Sequence, residues 1–250
     1  MSKPVTALTI AGFDPSGGAG VLADIRTFAD FGLRASAAIT SITFQNSAGV
    51  FGAAHQSSEV VRAQIEPLLE GFQIACAKTG MLPTPEVVSE VARLFRETEL
   101  PRPVVDPVLW STSGHRLMEA DALRVLVSEL IPLARVVTPN ISEAETLTAT
   151  TITSEADMRR AAGAIREMGA PAVLIKGGHL VLEEAIDVLD NNGQVTVFRE
   201  RRISGAELHG SGCILSAAIA AGLGKNMTLE DSVGAAKSFV LKAIQKAAAE

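Results

Sequence analysis

The sequence predicts an α/β fold: a three-layer sandwich whose central, mostly parallel sheet is flanked by helices on both faces. Three observations predict it. Short β-rich runs alternate with helical periodicity almost from end to end. The strand runs ALTIAG, PVVDP and AVLIKGG are nearly all apolar, as strands buried on both faces are. Only one tight hairpin signal interrupts the alternation, Asn192–Gly193 between EAIDVLD and QVTVFRE.

In chain order, ALTIAG (Ala7 to Gly12) reads as a buried first strand and runs into the Gly-rich loop FDPSGGAG. Val21, Leu22, Ile25, Phe28 and Ala29 then recur at helical spacing, and Gly32 stops the helix. AAITSITF is strand-like, with a short VFGAA run after it. Val60, Val61, Ile65, Leu68 and Leu69 mark a second helix. IACAKTG is a strand running into a loop. Thr84 followed by Pro85 is an N-cap and first-turn pair that opens a helix through about Phe95. PVVDP is a short buried strand, and Leu123, Leu126, Val127 and Leu130 form another apolar stripe. RVVTPN is a strand ending at Pro139–Asn140. Ser154 with Asp157 resembles a capping pair for a helix that ends near Gly169. AVLIKGG and the hairpin follow, and two helices starting near Gly210 and Leu229 finish the chain. No linker, repeat or low-complexity segment divides residues 1–250, so the expectation is a single domain.

Composition narrows the function. Lys plus Arg is 22 and Asp plus Glu is 28, a net charge of −6, which argues against general nucleic-acid or anionic-membrane binding. Hydrophobic residues make up 47%, enough for a real core without staples. Tyr is absent and Trp110 is alone, so an aromatic platform for single-stranded nucleic acid is not expected. Two cysteines, Cys76 and Cys213, make neither a disulfide framework nor a cysteine zinc site. The four histidines show no metal-ligand spacing. The start lacks the features of a signal peptide, and the longest apolar run, CILSAAIAAGL, carries Ser216. The expectation is a soluble cytoplasmic protein.

In a mostly parallel sheet, ligands sit at the carboxyl ends of the strands, so the loops that follow strands are where chemistry is sought. DPSGGAG opens a helix and could hold an anion on its N–H groups, or be only a tight turn; it matches neither a Walker loop nor GxGxxG. Asp24, inside the following helix, is either a solvated charge or a carboxylate facing a ligand. HGSGC, His209 to Cys213, is sharper. Gly210 and Gly212 bracket Ser211 directly before an apolar helix, so several N–H groups meet at the positive end of a helix dipole. That is a ready oxyanion or phosphate hole. Cys213 would fall in the first helical turn, where thiol pKa values drop, unless it is simply a buried structural Cys.

Lys176, before Gly177–Gly178, could contact phosphate or be solvated. Asn140 and Glu143 are either an N-cap with a first-turn acid or a carboxylate that orients Mg²⁺. Asp106 ends a strand, a position suited to metal or substrate contact. Gln45 and Asn46 offer amide donors and acceptors, or are turn residues. His55 and His115 read as surface histidines. Lys237 and Phe239 either frame a nucleobase or pack as ordinary helix residues.

Together the segments ALTIAGFDPSGGAGVLADIRTF, ITFQNSAGV, AKTGML, VVDPVL, TPNISEAETL, VLIKGGH and HGSGCILSAAIAAGL resemble the hydroxymethylpyrimidine and phosphomethylpyrimidine kinases of thiamine biosynthesis, within the ribokinase-like superfamily. They keep the family's order and cover nearly the whole chain. The first and last are specific; TPNxxEA and KGGH are shared more widely. The resemblance implies ATP as phosphoryl donor, Mg²⁺, a pyrimidine substrate and a homodimer. It implies pyrimidine contacts from Gly12, Asp24, Gln45 and Met81. It implies Mg²⁺ and phosphate roles for Asp106, Asn140, Glu143 and Lys176, and an anion hole from Gly210, Ser211, Gly212 and Cys213. Cys213 stands where most ribokinase-like enzymes carry an Asp base. The chain departs from the family pattern at Thr112, where Lys is frequent, at Glu207 to Ser211, and at Phe44, where a small residue is common. Two rival readings are a pyridoxal kinase, whose substrate also bears a hydroxymethyl group, and a pyrimidine-binding regulatory protein without turnover.

Overall fold

The structure, a computed structural model, describes residues 5–46, 48–178, 184–201, 203 and 208–248. His179 of the KGGH segment and Glu207 lie outside the described residues.

The expected alternation is present. The elements run β1 (Val5–Phe13), α1 (Gly20–Asp30), β2 (Arg34–Asn46), β3 (Gly49–His55), α2 (Ser58–Gly71), β4 (Gln73–Thr79), α3 (Pro85–Glu97) and β5 (Val104–Val105). Next come α4 (Ala120–Val125), β6 (Val136–Val137), α5 (Ile141–Thr148), α6 (Glu155–Glu167), β7 (Ala172–Lys176), β8 (Glu184–Asn191), β9 (Gln194–Arg201), α7 (Ser211–Gly224) and α8 (Leu229–Ala247). The apolar stripe from Leu123 to Leu130 is α4 and its continuation, a π turn at Leu126–Leu130 that tightens to a 3₁₀ turn at Ile131–Leu133. Pro132 cannot supply the N–H that a longer α-helix would need there.

The nine strands form one sheet in the order β3-β2-β1-β4-β5-β6-β7-β8-β9. Every pair from β2 through β7 is parallel. Both edges are antiparallel: β2 with β3 on one side, and β7 with β8 and β8 with β9 on the other. The sequence signals only the second of these. Asn192 and Gly193 both have positive φ, 54° and 87°, as a two-residue primed turn requires. The β2–β3 pairing lacks an Asn-Gly signal, so VFGAA does not announce itself as the antiparallel partner of β2.

Pleating divides the core into two layers. Ala7, Val104, Val136, Ala172 and Leu174 point to one face and pack with Phe28 of α1 and the buried residues of α7 and α8. Leu8, Val105, Val137, Val173 and Ile175 point to the other face, against α2, α3, α4, α5 and α6. Residues 215–222 of α7 are all buried, so this helix is apolar all round rather than on one stripe. Its small side chains let α8 approach closely: a Cβ on Gly222 would lie 2.7 Å from Ser232 Oγ.

Phe28 has no exposed surface. Phe28→Ala should cost about 3–5 kcal/mol, whereas Phe51→Ser, at a position 70% exposed, should stay within about 0.5 kcal/mol. Urea unfolding of both variants checks the contrast.

Candidate active site

The sheet order reverses at β1. Its connection through α1 goes to β2 on one side, and the chain returns to β4 on the other. Such a switch point opens a crevice at the carboxyl ends of the strands. The two Gly-rich loops meet there. Asp14 organises the first: its carboxylate accepts from Ser16 N at 2.8 Å, Ser16 Oγ at 2.7 Å and Ala19 N at 2.9 Å. Burial pushes the Asp14 carboxyl up, but bonds from Ser16, Ala19 and the Gln45 side chain outweigh it and hold the group below its ordinary value. His209 reaches across from the second loop, its Nε2 3.2 Å from Asp14 Oδ2. The backbones touch: Gly210, the N-cap of α7, has φ +78°, and a Cβ there would fall 2.0 Å from the Gly18 carbonyl oxygen. Glycine is required both for the conformation and for the approach.

Beside the start of α7 lies a charged centre. Lys176 Nζ is 2.7 Å from Asp106 Oδ1, and a Cβ on Gly212 would come within 3.2 Å of that nitrogen. Asp106 also accepts from Ser216 Oγ at 3.1 Å and from Thr138 Oγ1 at 3.3 Å. Burial pushes Lys176 down, yet Asp106 and Glu143 beside it hold the ammonium above its ordinary value. Asn140 and Glu143 form a full capping box: Glu143 N donates to Asn140 Oδ1 at 2.9 Å, and Asn140 N donates to Glu143 Oε2 at 2.7 Å. Leu109 N–H also reaches Glu143. Cap and carboxylate near Lys176 are therefore one arrangement, not alternatives. Burial pushes the Glu143 carboxyl up to about 7, against the pull of Lys176 and with a further push from Asp106.

Two expectations are corrected. Asp24 is not a solvated helix charge. It has no exposed surface, and its carboxylate is taken by Lys78 Nζ at 2.8 and 2.9 Å and by Thr9 Oγ1 at 2.6 Å. Burial would push Lys78 down, but Asp24, with Cys213 and Asp106 nearby, holds it above its ordinary value. Burial pushes Asp24 up, opposed by Lys78. The Cys213 thiol is not lowered. Burial pushes it up, with Asp106 and Asp24 adding to the rise; only Lys78 and a bond from Gly20 pull the other way. Burial outweighs the helix N-terminus, and the two nearby carboxylates add to it.

The other positions named from sequence divide clearly. Gly12 and Met81 are adjacent: a Cβ on Gly12 would lie 3.0 Å from Met81 Sδ. Gln45 reaches the same loop through Asp14. Ser211 is the first residue of α7. Phe44 is exposed on β2, and His55 and His115 are exposed. Lys237 and Phe239 do not frame a base. Lys237 pairs with Asp187 at 2.6 Å, and Phe239 packs edge-on against Phe31. Sequence reasoning missed Asp14, Lys78, Thr138 and Ser216. Lys78 had a signal, a charge inside the apolar run IACAKTG; Ser216 had one too, a hydroxyl inside the longest apolar run.

The donor set fits a hard cation. Asp106 and Glu143 are buried carboxylates flanking Lys176, and no group of three or more His, Cys, Asp or Glu suited to a metal occurs among the described residues. Two carboxylates suit Mg²⁺, which completes its shell with waters and phosphate oxygens, better than a metal that needs an all-protein cage.

Lys78→Met should destabilise by about 3–5 kcal/mol because Asp24 is left as an uncompensated buried charge, and Asp24→Asn/Lys78→Met should recover much of that. Chemical unfolding of the single and double variants reads this. Glu143 sets a pH slope. Its raised pKa means the folded chain keeps a proton that the unfolded chain releases above about 4.5. Stability therefore falls as pH rises from about 4.5 towards about 7. Glu143→Gln should remove that slope in unfolding curves recorded from about pH 5 to about pH 8 without divalent cations.

Comparison with known proteins bears on the fold and the family. The sequence profile of the phosphomethylpyrimidine kinase family matches residues 14–249. A hydroxymethylpyrimidine/phosphomethylpyrimidine kinase from Rhizobium meliloti is 43% identical over 242 residues, 96% of this chain and 91% of that one. The crystal structure of a phosphomethylpyrimidine kinase from Clostridium difficile superposes with a TM-score of 0.85 at 37% identity, covering 97% of this chain and 100% of that one. A pyridoxal kinase from Staphylococcus aureus in complex with ADP has a TM-score of 0.88 at 31% identity, over 98% and 88% of the two chains. The nine-stranded α/β sheet is thus the ribokinase-like fold, and the chain belongs to the phosphomethylpyrimidine kinase family.

Proposed function

We propose that this protein transfers the γ-phosphoryl group of ATP to the hydroxymethyl oxygen of 4-amino-5-hydroxymethyl-2-methylpyrimidine, and then a second phosphoryl group to the monophosphate, giving the diphosphate used in thiamine biosynthesis. The observation that carries this reading is the placement of Lys176 Nζ on Asp106 beside the N–H groups that open α7. Family membership supplies the substrate class.

The chemistry follows from the residues. In each step an oxygen–phosphorus bond forms at the acceptor, the bond to the β–γ bridging oxygen breaks, and ADP leaves. Such a transfer needs positioning and charge neutralisation more than covalent help. The N–H groups of Gly210, Gly212 and Cys213 and the Lys176 ammonium would receive the equatorial oxygens of the transferred group, the Ser211 N–H being already given to the Leu208 carbonyl oxygen at 3.1 Å. Asp106 and Glu143 would hold Mg²⁺, which when bound supplies positive charge to the phosphates. Gly12, with no side chain, leaves room for the ring against Met81. Gln45 offers an amide that can both donate to and accept from an aminopyrimidine edge. Asp24 acts from beneath, by fixing Lys78.

Cys213 would serve as base in the first step, where the acceptor is a neutral hydroxyl that must lose a proton. In the second step the acceptor is a phosphate oxygen, already anionic, and needs no base. The homodimer and the cytoplasmic location implied by the family resemblance belong to the same proposal, as does one catalytic unit spanning residues 1–250.

The pyridoxal-kinase reading keeps one specific support, the superposition on kinases of that activity. Both readings are tested together. Purified protein with ATP and Mg²⁺ is offered hydroxymethylpyrimidine, its monophosphate and pyridoxal, and products are followed by phosphorus NMR. The pyrimidines should be turned over with the higher kcat/KM. A preference for pyridoxal would overturn the proposal, and no ATP consumption with any substrate would favour a binding protein. Within this assay, Cys213→Ala should lower kcat/KM for hydroxymethylpyrimidine by about 10²–10⁴-fold and far less for the monophosphate. Because the thiol is raised, the wild-type rate on the first substrate should climb with pH through the alkaline range, and the variant's should not. Equal losses on both substrates would make Cys213 a packing residue.

A further inference from the structure

Lys176 is the last residue of β7, and the chain turns away directly after it. Asp187 lies opposite Lys176 in the β7–β8 register. Its Oδ1 accepts the Gly177 N–H at 2.9 Å, and its Oδ2 lies 2.6 Å from Lys237 Nζ on α8. The Gly177 backbone is wedged against β8: a Cβ there would fall 2.0 Å from the Ile186 carbonyl oxygen and 2.9 Å from Met158 Cε. Asp187 and Lys237 are both buried.

A buried ion pair is a poor device for stability alone, since desolvation offsets much of its attraction and an apolar pair of similar volume often does as well. Val188 and Leu189, next along β8, show that the strand accommodates such residues. An apolar residue at 187, however, would leave the buried Gly177 N–H without an acceptor. An Asp there without Lys237 would be an uncompensated buried charge.

We propose that the Asp187–Lys237 pair is a positioning device for Lys176. Lys237 holds Asp187 in place, Asp187 holds the Gly177 N–H, and Gly177 fixes the path by which the chain leaves Lys176. Lys176 Nζ is thereby kept on Asp106 and beside Gly212. Neither residue touches substrate in this account; both act through Lys176. The inference rests on the kinase reading above, and it assigns Lys237 to this work rather than to a nucleobase.

Two double variants test it. D187L/K237M removes the ion pair and the acceptor together. D187N/K237Q removes the charges but keeps an oxygen for Gly177 N–H and a partner for the amide. With hydroxymethylpyrimidine as substrate, D187L/K237M should lower kcat by about 10- to 100-fold, the scale of a misplacement of about 1 Å, with the pyrimidine KM within about twofold. D187N/K237Q should recover most of that loss. In a Lys176→Ala background, adding D187L/K237M should lower kcat by less than about twofold, because the residue it positions is gone. If D187L/K237M does not fold, D187N/K237M, which leaves no unpaired charge and loosens the side chain at 187 without removing its oxygen, is read in the same way. A similar kcat loss with and without Lys176, or an unchanged kcat per folded molecule, would overturn the proposal. Amide exchange at Gly177 is a readout without turnover: it should be slow in wild type and D187N/K237Q and at least about tenfold faster in D187L/K237M. An inactive wild type would defeat the kinase reading; an active wild type with Gly177 exchange unchanged in D187L/K237M would defeat this one.

Discussion

The carboxylate of Asp106 joins four elements at one point. It sits just beyond β5, a strand of only two residues, and takes bonds from Thr138 after β6, Lys176 at the end of β7 and Ser216 inside α7. A parallel sheet makes this possible, because it delivers successive strand ends to the same edge. Without Asp106, Lys176 would keep only Glu143 as a nearby counter-charge, and the hydroxyl of Ser216 would be left to the Gly212 and Cys213 carbonyls of its own helix. β5 and β6 can be so short because the side chains just past their ends, not a long ladder, tie them to their neighbours.

Around that point the charges alternate in sign. Asp24 faces Lys78, Lys78 lies close to Cys213 and Asp106, Asp106 faces Lys176, and Lys176 faces Glu143. Asp24, Lys78, Asp106 and Glu143 are buried and Lys176 nearly so, and each would be expensive alone. The order of the chain makes the sharing possible. α1 and α7 pack together on one face of the sheet, so Asp24 and Cys213 approach from that face, while Glu143 arrives from the start of α5. The count of carboxylates exceeds the count of ammoniums by one if Glu143 is ionised. Its carboxyl is the one raised to about 7. It is the member of the set whose charge a cation brought with a phosphorylated ligand would stabilise.

Much of this was legible in the sequence, for reasons that can be named. Strands and helices followed the apolar periodicity because both faces of the sheet are covered, and the turns at Gly32, Thr84–Pro85 and Asn192–Gly193 obeyed local rules of backbone conformation. The β2–β3 pairing was not legible, since Asn46 pairs with Gly49 across a Ser-Ala pair that carries none of the Asn-Gly or Gly-led chemistry of a primed turn. Gly210, Gly212, Lys176 and Asp106 could be singled out because they end strands or begin helices. What the sequence could not express was pairing over long separations. Asp24 reads as a helix charge until Lys78, 54 residues on, is seen against it. Lys237 reads as a nucleobase contact or an ordinary helix residue until Asp187, 50 residues earlier, is seen to hold it. The Cys213 thiol departs from expectation for a related reason: the dipole of α7 is local and visible, whereas the burial that raises the thiol, with Asp106 and Asp24 adding to it, comes from elements remote in sequence.

The identity of residue 213 has a physical argument behind it. The N–H groups that open α7 would favour a carboxylate at that place, and the family resemblance names Asp as the frequent occupant in related kinases. In this chain Asp24 and Asp106 already bring two negative charges near the position, against Lys78 and Lys176. A third carboxylate would be ionised at neutral pH and would compete with them for the same two cations. A thiol avoids that competition. It remains neutral while the site is assembled, adds no charge against the incoming phosphates, and becomes anionic only if a proton is drawn from it. Under the proposed function this suits an enzyme whose second acceptor is itself anionic. A permanent carboxylate beside an anionic phosphate would oppose binding in the step that needs no base, whereas a neutral thiol leaves the N–H groups of Gly212 and Cys213 to act in both.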